Sequence, residues 1–275
     1  MTPEYPLLDG NTLPAIGLGT YGLNEQSGIE AISTAIVDGY RLIDTAYNYG
    51  NEDVVGEAVR RSGIDRSDLV VATKLPGRHH GFEETLASFE ESRAKLDLDW
   101  LDLYLIHWPN PRIDKYVDSW KAMIRLREKG LARSIGVSNF TAPMLERLRT
   151  ETGVVPVVNQ VELHPYFPQG ELRAYHAEHG IRTESWSPLG RKSNLLEEPV
   201  LAEIAAARGL TVPQVVLRWH VQLGSVPIPK SSDAARRRAN LDVFSFELGE
   251  AETTAISALE QGRIWGADPD THEEL

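Results

Sequence analysis

Gly39-Tyr40-Arg41-Leu42-Ile43-Asp44-Thr45-Ala46-Tyr47-Asn48-Tyr49-Gly50-Asn51-Glu52 contains a short apolar run that closes on a carboxylate, with a tyrosine five residues beyond it. Two later runs have the same form. Val70-Val71-Ala72-Thr73-Lys74 ends on an ammonium, and Leu103-Tyr104-Leu105-Ile106-His107-Trp108 ends on an imidazole and an indole. Runs that are apolar throughout fit strands of a parallel sheet, which are buried on both faces. In a closed parallel sheet the carboxyl ends of neighbouring strands converge on one rim. Asp44, Lys74 and His107 would meet there with Tyr49, as the parts of a proton-donating site.

Working outward, strand patterns are expected at 15–19, 41–44, 69–74, 101–107, 134–138, 157–162, 181–185 and 225–229. Amphipathic stretches with helical spacing lie between them, at 28–38, 52–61, 82–96, 117–129 and 143–150. Eight strands alternating with helices predict an α/β fold, a (β/α)8 TIM barrel with long C-terminal loops. The length of 275 residues suits one such barrel. No linker or low-complexity tract divides the chain, so residues 1–275 are expected to form one domain. Tyr5 to Pro14, two apolar arms around Asp9-Gly10, predicts an N-terminal β-hairpin that could plug the amino end of the barrel.

Composition excludes several functions. A net charge of −12 opposes a nucleic-acid surface, which needs clustered cations. It leaves room for an anionic cofactor, because a few local cations override the global sign. The absence of cysteine removes disulfides and thiolate metal sites. No apolar run approaches the roughly 18 residues of a membrane span, and the first residues lack a basic signal-peptide start. A cytoplasmic protein without membrane contact is therefore expected.

Gly17-Leu18-Gly19-Thr20-Tyr21-Gly22 matches the dinucleotide fingerprint G-x-G-x-x-G, and Asp44 stands about where a ribose-binding acid would. In a Rossmann unit the third glycine opens the helix, but here Leu23 to Gly28 intervenes. The segment reads better as a turn that lets backbone and Tyr21 approach a ligand.

Four separated blocks resemble the aldo-keto reductases: Gly39 to Gly56, Thr73-Lys74-Leu75, Asp102 to Pro109, and Ile228-Pro229-Lys230-Ser231 with Arg236 and Asn240. Ser138-Asn139-Phe140, Asn159 to Tyr166 and Ser187-Pro188-Leu189-Gly190 fall between them in family order. The similarity covers most of the chain and is strongest to the bacterial branch of 2,5-diketo-D-gluconate reductases. It implies a barrel that reduces a small carbonyl substrate with NADPH, and no Rossmann domain. It also implies a monomer.

The resemblance assigns catalysis to Asp44, Tyr49, Lys74 and His107. Tyr49 matches the proton donor, which must neutralise charge on the carbonyl oxygen. A free phenol titrates near ~10. Lys74, fixed by Asp44, would bring it towards neutrality, a shift worth about 4 kcal/mol. His107 would orient the carbonyl. Ser138, Asn139 and Gln160 match residues that hold the nicotinamide carboxamide, and Trp186 the aromatic against its face. Gly19, Thr20, Tyr21, Ser187, Leu189 and Gly190 would line the cofactor, with Asp44 beside it. Lys230, Ser231 and Arg236 match the cluster for the adenosine 2′-phosphate, a dianion suited to cations and a hydroxyl, and Asn240 matches an adenine contact. Ala239 stands where several relatives carry Glu. Tyr21, Tyr49, His107 and Trp108 are the expected substrate contacts, with Tyr47 and Trp265 as further pocket wall. Residues 261–269 are expected to form a mobile lid.

The alternative is a barrel that binds NADPH for sensing or structure with little turnover; the intact tetrad argues against it. No metal site is expected. His79-His80 reads as a loop, and His176 with His179 as a solvated helix face.

Overall fold

The computed structural model describes residues 2–274. Strands β1 (Glu4–Pro6) and β2 (Thr12–Pro14) form an antiparallel hairpin. Eight parallel strands follow: β3 (Leu18–Gly19), β4 (Leu42–Asp44), β5 (Val70–Leu75), β6 (Leu101–Ile106), β7 (Ala132–Ser138), β8 (Val158–Glu162), β9 (Arg182–Trp186) and β10 (Val226–Pro227). Each pairs with its neighbour in chain order. Helices α1 (Glu25–Asp38), α2 (Glu52–Arg61), α3 (Phe82–Leu96), α4 (Tyr116–Glu128), α5 (Ala142–Thr152) and α6 (Gly170–Glu178) fill the successive crossovers. The last crossover holds two helices, α7 (Pro199–Arg208) and α8 (Val212–Gln222). After β10 come α9 (Ala234–Leu241) and α10 (Glu250–Ser257).

The first and last strands are shorter than their sequence patterns, and proline explains why. Pro227 and Pro229 have no N–H to donate. The seam is carried from the other side, by Gly17 N–H to Pro227 O and Gly19 N–H to Pro229 O, each 3.0 Å. These bonds close the barrel. A Cβ on Gly17 would lie 2.6 Å from Ile228 Cδ1 and 2.8 Å from Leu42 Cγ, so the barrel interior has no room for a side chain there.

Side-chain alternation separates two cores. Leu42, Ala72, Leu103, Leu105, Val158 and Val226 point into the barrel, while Ile43, Val71, Tyr104 and Ile106 pack outward against the helices. Leu7 and Leu13 of the hairpin join the inner cluster, so the hairpin closes the amino end as expected. Burying such a side chain is worth about 1.5–3 kcal/mol.

The same period of two aims the site. Asp44 follows Leu42 by two residues, Lys74 follows Ala72, His107 follows Leu105, and Gln160 follows Val158. All therefore face the barrel axis at its carboxyl end. Among the described residues no single helix is long and apolar enough to cross a membrane.

Candidate active site

Lys74 lies at the centre of the rim with no solvent exposure. Its Nζ donates to Asp44 Oδ1 at 2.7 Å, Asp44 Oδ2 at 2.8 Å and Thr45 O at 2.8 Å. Burial by itself would discharge the amine, but the charge and the hydrogen bonds of the Asp44 carboxylate outweigh it and raise the pKa. Lys74 is an ammonium. It lies 5.3 Å from the centre of the Tyr49 ring. That ring is carried by a 3-10 turn, Tyr47–Tyr49, directly after β4. Tyr21 packs edge-on against it at 5.1 Å and His107 at 6.0 Å.

The four residues meet, yet the Tyr49 phenol does not behave as expected from the sequence. Its pKa is raised, because burial outweighs the Lys74 charge and the negative charges of Asp44 and Glu274 add to it. In the free protein Tyr49 is held firmly protonated, with Lys74 as the cation that opposes this.

A buried relay runs sideways from Asp44. Gln160 and Glu184 are register partners on β8 and β9. Gln160 Nε2 donates to Asp44 Oδ2 at 2.9 Å and to Glu184 Oε2 at 2.7 Å. Both amide hydrogens are thus spent inside the barrel, and the carbonyl oxygen is what Gln160 has left for a ligand. Glu184 is fully buried, and burial, then the Asp44 charge, push its pKa up to about 8.

Ser138 donates to Gln160 O at 2.8 Å. Asn139, held at φ 64°, donates to His107 O at 2.9 Å and to Ser138 Oγ at 3.0 Å, and accepts from the Trp186 indole at 2.8 Å. Asn139 is therefore a bracket that ties His107 to Trp186. Trp108 and Trp265 flank Trp186 edge-on at 6.5 and 5.8 Å, which makes an aromatic cluster at the carboxyl end of β9.

Beyond Trp186, Ser187 and Gly190 take left-handed backbone conformations and turn the chain across the rim. Lys230 and Arg236 are exposed, and neither makes an ion pair among the described residues. Asp233 caps α9 by accepting from Arg236 N–H at 2.8 Å, which leaves the guanidinium free to face solvent. Two unpaired cations, the Ser231 hydroxyl and a free Gln160 carbonyl suit a phosphorylated cofactor with a carboxamide end, so the residues present fit NADPH.

The chain matches the Aldo/keto reductase family over residues 15–261. It belongs to that family. The chain is 59% identical to the 2,5-diketo-D-gluconic acid reductase B of a Corynebacterium species, over 99% of both chains. It is 45% identical to the methylglyoxal reductase DkgA of Escherichia coli, over 96% of both. A crystal structure of a Gox0644 variant in complex with NADPH superposes with a TM-score of 0.94 at 44% identity, over 99% of both chains.

This aldo/keto reductase corrects several expectations from its sequence. As expected, the Gly17–Gly22 stretch is the first barrel strand and its turn, and Asp44 is taken by Lys74, so neither serves a Rossmann site; other expectations change. Thr20 is fully buried, its hydroxyl on Asp44 O at 3.0 Å, and supports the rim from beneath. Tyr47 turns away from the pocket: its hydroxyl donates to Glu91 at 2.6 Å and Lys95 sits 3.7 Å over its ring. Asn240 is buried near Tyr40, whose hydroxyl donates to Arg237 O at 3.1 Å, an inward placement for a residue expected at adenine. His176 is not solvated; it is buried between Asn159 and Thr183, and burial pushes its pKa down to about 3.

Within the stretch 261–269, expected as a lid, residues 261–265 are tied to the barrel through backbone N–H groups. Tyr166 O accepts from Gln261 and Gly262 N–H at 2.8 and 2.7 Å. The buried Glu162 carboxylate accepts from Ile264 and Trp265 N–H at 2.8 and 3.0 Å. Three further residues escaped the sequence reading. Arg237 is buried and clips the carbonyls of Ser231 and Ser232, which holds the cation loop in shape. Glu184 and Glu274 are the others. An acid inside a strand pattern, two residues before Trp186, was the available signal for Glu184.

Proposed function

We propose that this aldo/keto reductase reduces a small polar aldehyde or ketone to the alcohol with NADPH, with Tyr49 as the proton donor. When bound, NADPH supplies the hydride. Negative charge then grows on the carbonyl oxygen, and Tyr49 carries the proton that meets it. Lys74 stabilises the phenolate left behind, and Asp44 keeps the ammonium in place. His107 orients the carbonyl from the other side of the pocket. The observation that carries this reading is the fully buried Lys74 ammonium, held by three oxygens beside the Tyr49 ring. An ammonium so costly to bury marks a functional site.

Gln160, Ser138 and Trp186 would hold the nicotinamide end, and Lys230, Ser231 and Arg236 the 2′-phosphate. Trp108, Trp265, Tyr21 and His107 would enclose the substrate. The named relatives act on 2,5-diketo-D-gluconic acid and methylglyoxal, so a compact dicarbonyl is the substrate class. One chain supplies every one of these side chains, which supports a single-domain monomeric enzyme.

The test follows nicotinamide absorbance while the protein meets NADPH and a panel of methylglyoxal, 2,5-diketo-gluconate, a simple aliphatic aldehyde and a bulky ketone. Turnover fastest on the two dicarbonyls is expected. Absence of NADPH consumption across the panel would leave the barrel a cofactor-binding protein.

A further inference from the structure

The chain's own tail enters the site. Glu274 lies 226 residues from Asn48 in sequence, yet Asn48 Nδ2 donates to Glu274 Oε1 at 2.8 Å and Gly77 N–H donates to Oε2 at 2.9 Å. The same Oε1 lies 2.7 Å from His107 Nδ1. It lies off the ring N–H direction, so this is a close polar contact rather than an aligned hydrogen bond.

The placement is built from several elements. Asn110 grips the Glu274 backbone at both ends, accepting its N–H at 3.1 Å and donating to its carbonyl at 2.8 Å. His272 packs on Trp108 with ring centres 4.3 Å apart. Arg78 in turn holds Asn48. A Cβ on Gly77 would come within 2.2 Å of both Glu274 O and Asn110 Nδ2, so only glycine lets the tail pass. Burial would raise the Glu274 pKa, but the His107 charge, Gly77 N–H and Asn48 outweigh it and hold the carboxyl at about 2. The carboxylate is therefore a permanent anion against one nitrogen of His107.

We infer that Glu274 is a positioning residue, which fixes the ring of His107 and the proton on its Nδ1 so that the opposite nitrogen faces the substrate carbonyl. This rests on the reading of His107 as the group that orients the carbonyl. The partner of one imidazole nitrogen sets the tautomer and so the role of the other. A carboxylate on Nδ1 keeps the proton there, and Nε2 is left in a defined state towards the pocket. The tail thus completes the constellation from the far end of the sequence.

The test compares full-length wild type, Glu274→Gln, Glu274→Asp, His107→Ala and the double variant His107→Ala/Glu274→Gln. Glu274→Gln should lower kcat by about 10- to 100-fold, the scale seen when an outer partner of a functional histidine is lost. KM for a neutral aldehyde and the NADPH dissociation constant should barely move. Glu274→Asp should recover part of the loss. In the His107→Ala background, Glu274→Gln should cost nothing more. Nitrogen NMR of the free protein gives a readout independent of turnover: the His107 Nδ1 resonance should shift in Glu274→Gln. An unchanged ring spectrum, or an additive loss in the double variant, overturns the proposal alone. Faster turnover with a lower KM in Glu274→Gln would show the tail to be a plug and overturn it too. Wild-type turnover in His107→Ala would remove His107 from the reaction, and the proposal with it.

Discussion

Asp44 and Asp102 are both buried aspartates on barrel strands, and both bind cations, but at opposite ends of the sheet. Asp44 closes β4 at the carboxyl rim and holds one ammonium that no solvent reaches. Asp102 opens β6 at the amino rim, where Arg66 and Arg133 reach it from partly exposed positions. It also accepts from Val71 N–H at 2.9 Å and from the Trp100 indole at 3.2 Å. Both guanidinium groups lie over the Trp100 ring, at 5.2 and 4.5 Å. Asp102 therefore staples strands β5 and β6 to the loops beneath them, beside a cavity of about 570 Å³ under the hairpin. The lesson is that strand polarity separates the two roles. Residues at the carboxyl ends meet a ligand, and residues at the amino ends hold the barrel together.

That contrast can be broken in order of expected effect. Lys74→Met should reduce turnover by at least ~100-fold, the scale of losing general acid catalysis, because the phenolate of Tyr49 loses its counter-charge. Steady-state rates with saturating NADPH check it. Arg236→Ala should weaken NADPH binding by roughly 10- to 150-fold, since a charge-assisted contact to phosphate is worth about 1.5–3 kcal/mol. NADH binding should hardly change, and titration of both cofactors tells the two apart. Asp102→Asn should do the reverse of Lys74→Met: turnover survives, while stability falls by about 1–3 kcal/mol because buried donors lose their acceptor. Thermal melts and rates on the same sample decide it.

The smallest effect concerns pH. Glu184 has a folded pKa of about 8 against 4.5 in a free chain. The folded state keeps its proton while the unfolded state loses it. The stability it contributes is complete below about pH 4.5 and is lost as pH rises through about 8. Glu184→Gln should remove that decline, seen as a flatter melting temperature between pH 5 and 9. An unchanged slope would mean that Glu184 is ionised in the fold.

The rim was legible in the sequence because β-strand parity is local: an acid, an amine and an imidazole each close an apolar run, and a period of two carries all three inward. The barrel order and hairpin followed from equally local patterns. What escaped depends on long-range packing. Nothing near Glu274 marks it, since its partners Asn48, Gly77, His107 and Asn110 meet it only after the barrel has closed. Tyr47 and Tyr49 are two residues apart on one turn, and only the position of α3 sends the first to Glu91 and leaves the second beside Lys74. The raised Tyr49 pKa was equally hidden, because it reflects burial and a distant tail charge as well as the expected lysine.

The proton donor carries the account, and Tyr49→Phe tests it most directly. Removing one hydroxyl leaves the ring that packs between Tyr21 and His107, so the fold and the cofactor site should be preserved. The measurement is a single turnover with bound NADPH and methylglyoxal, alongside the NADPH dissociation constant. A fall of at least ~100-fold in the rate of NADPH consumption, with cofactor affinity unchanged, is the expected result. Wild-type turnover in Tyr49→Phe would contradict the account and pass the proton to His107.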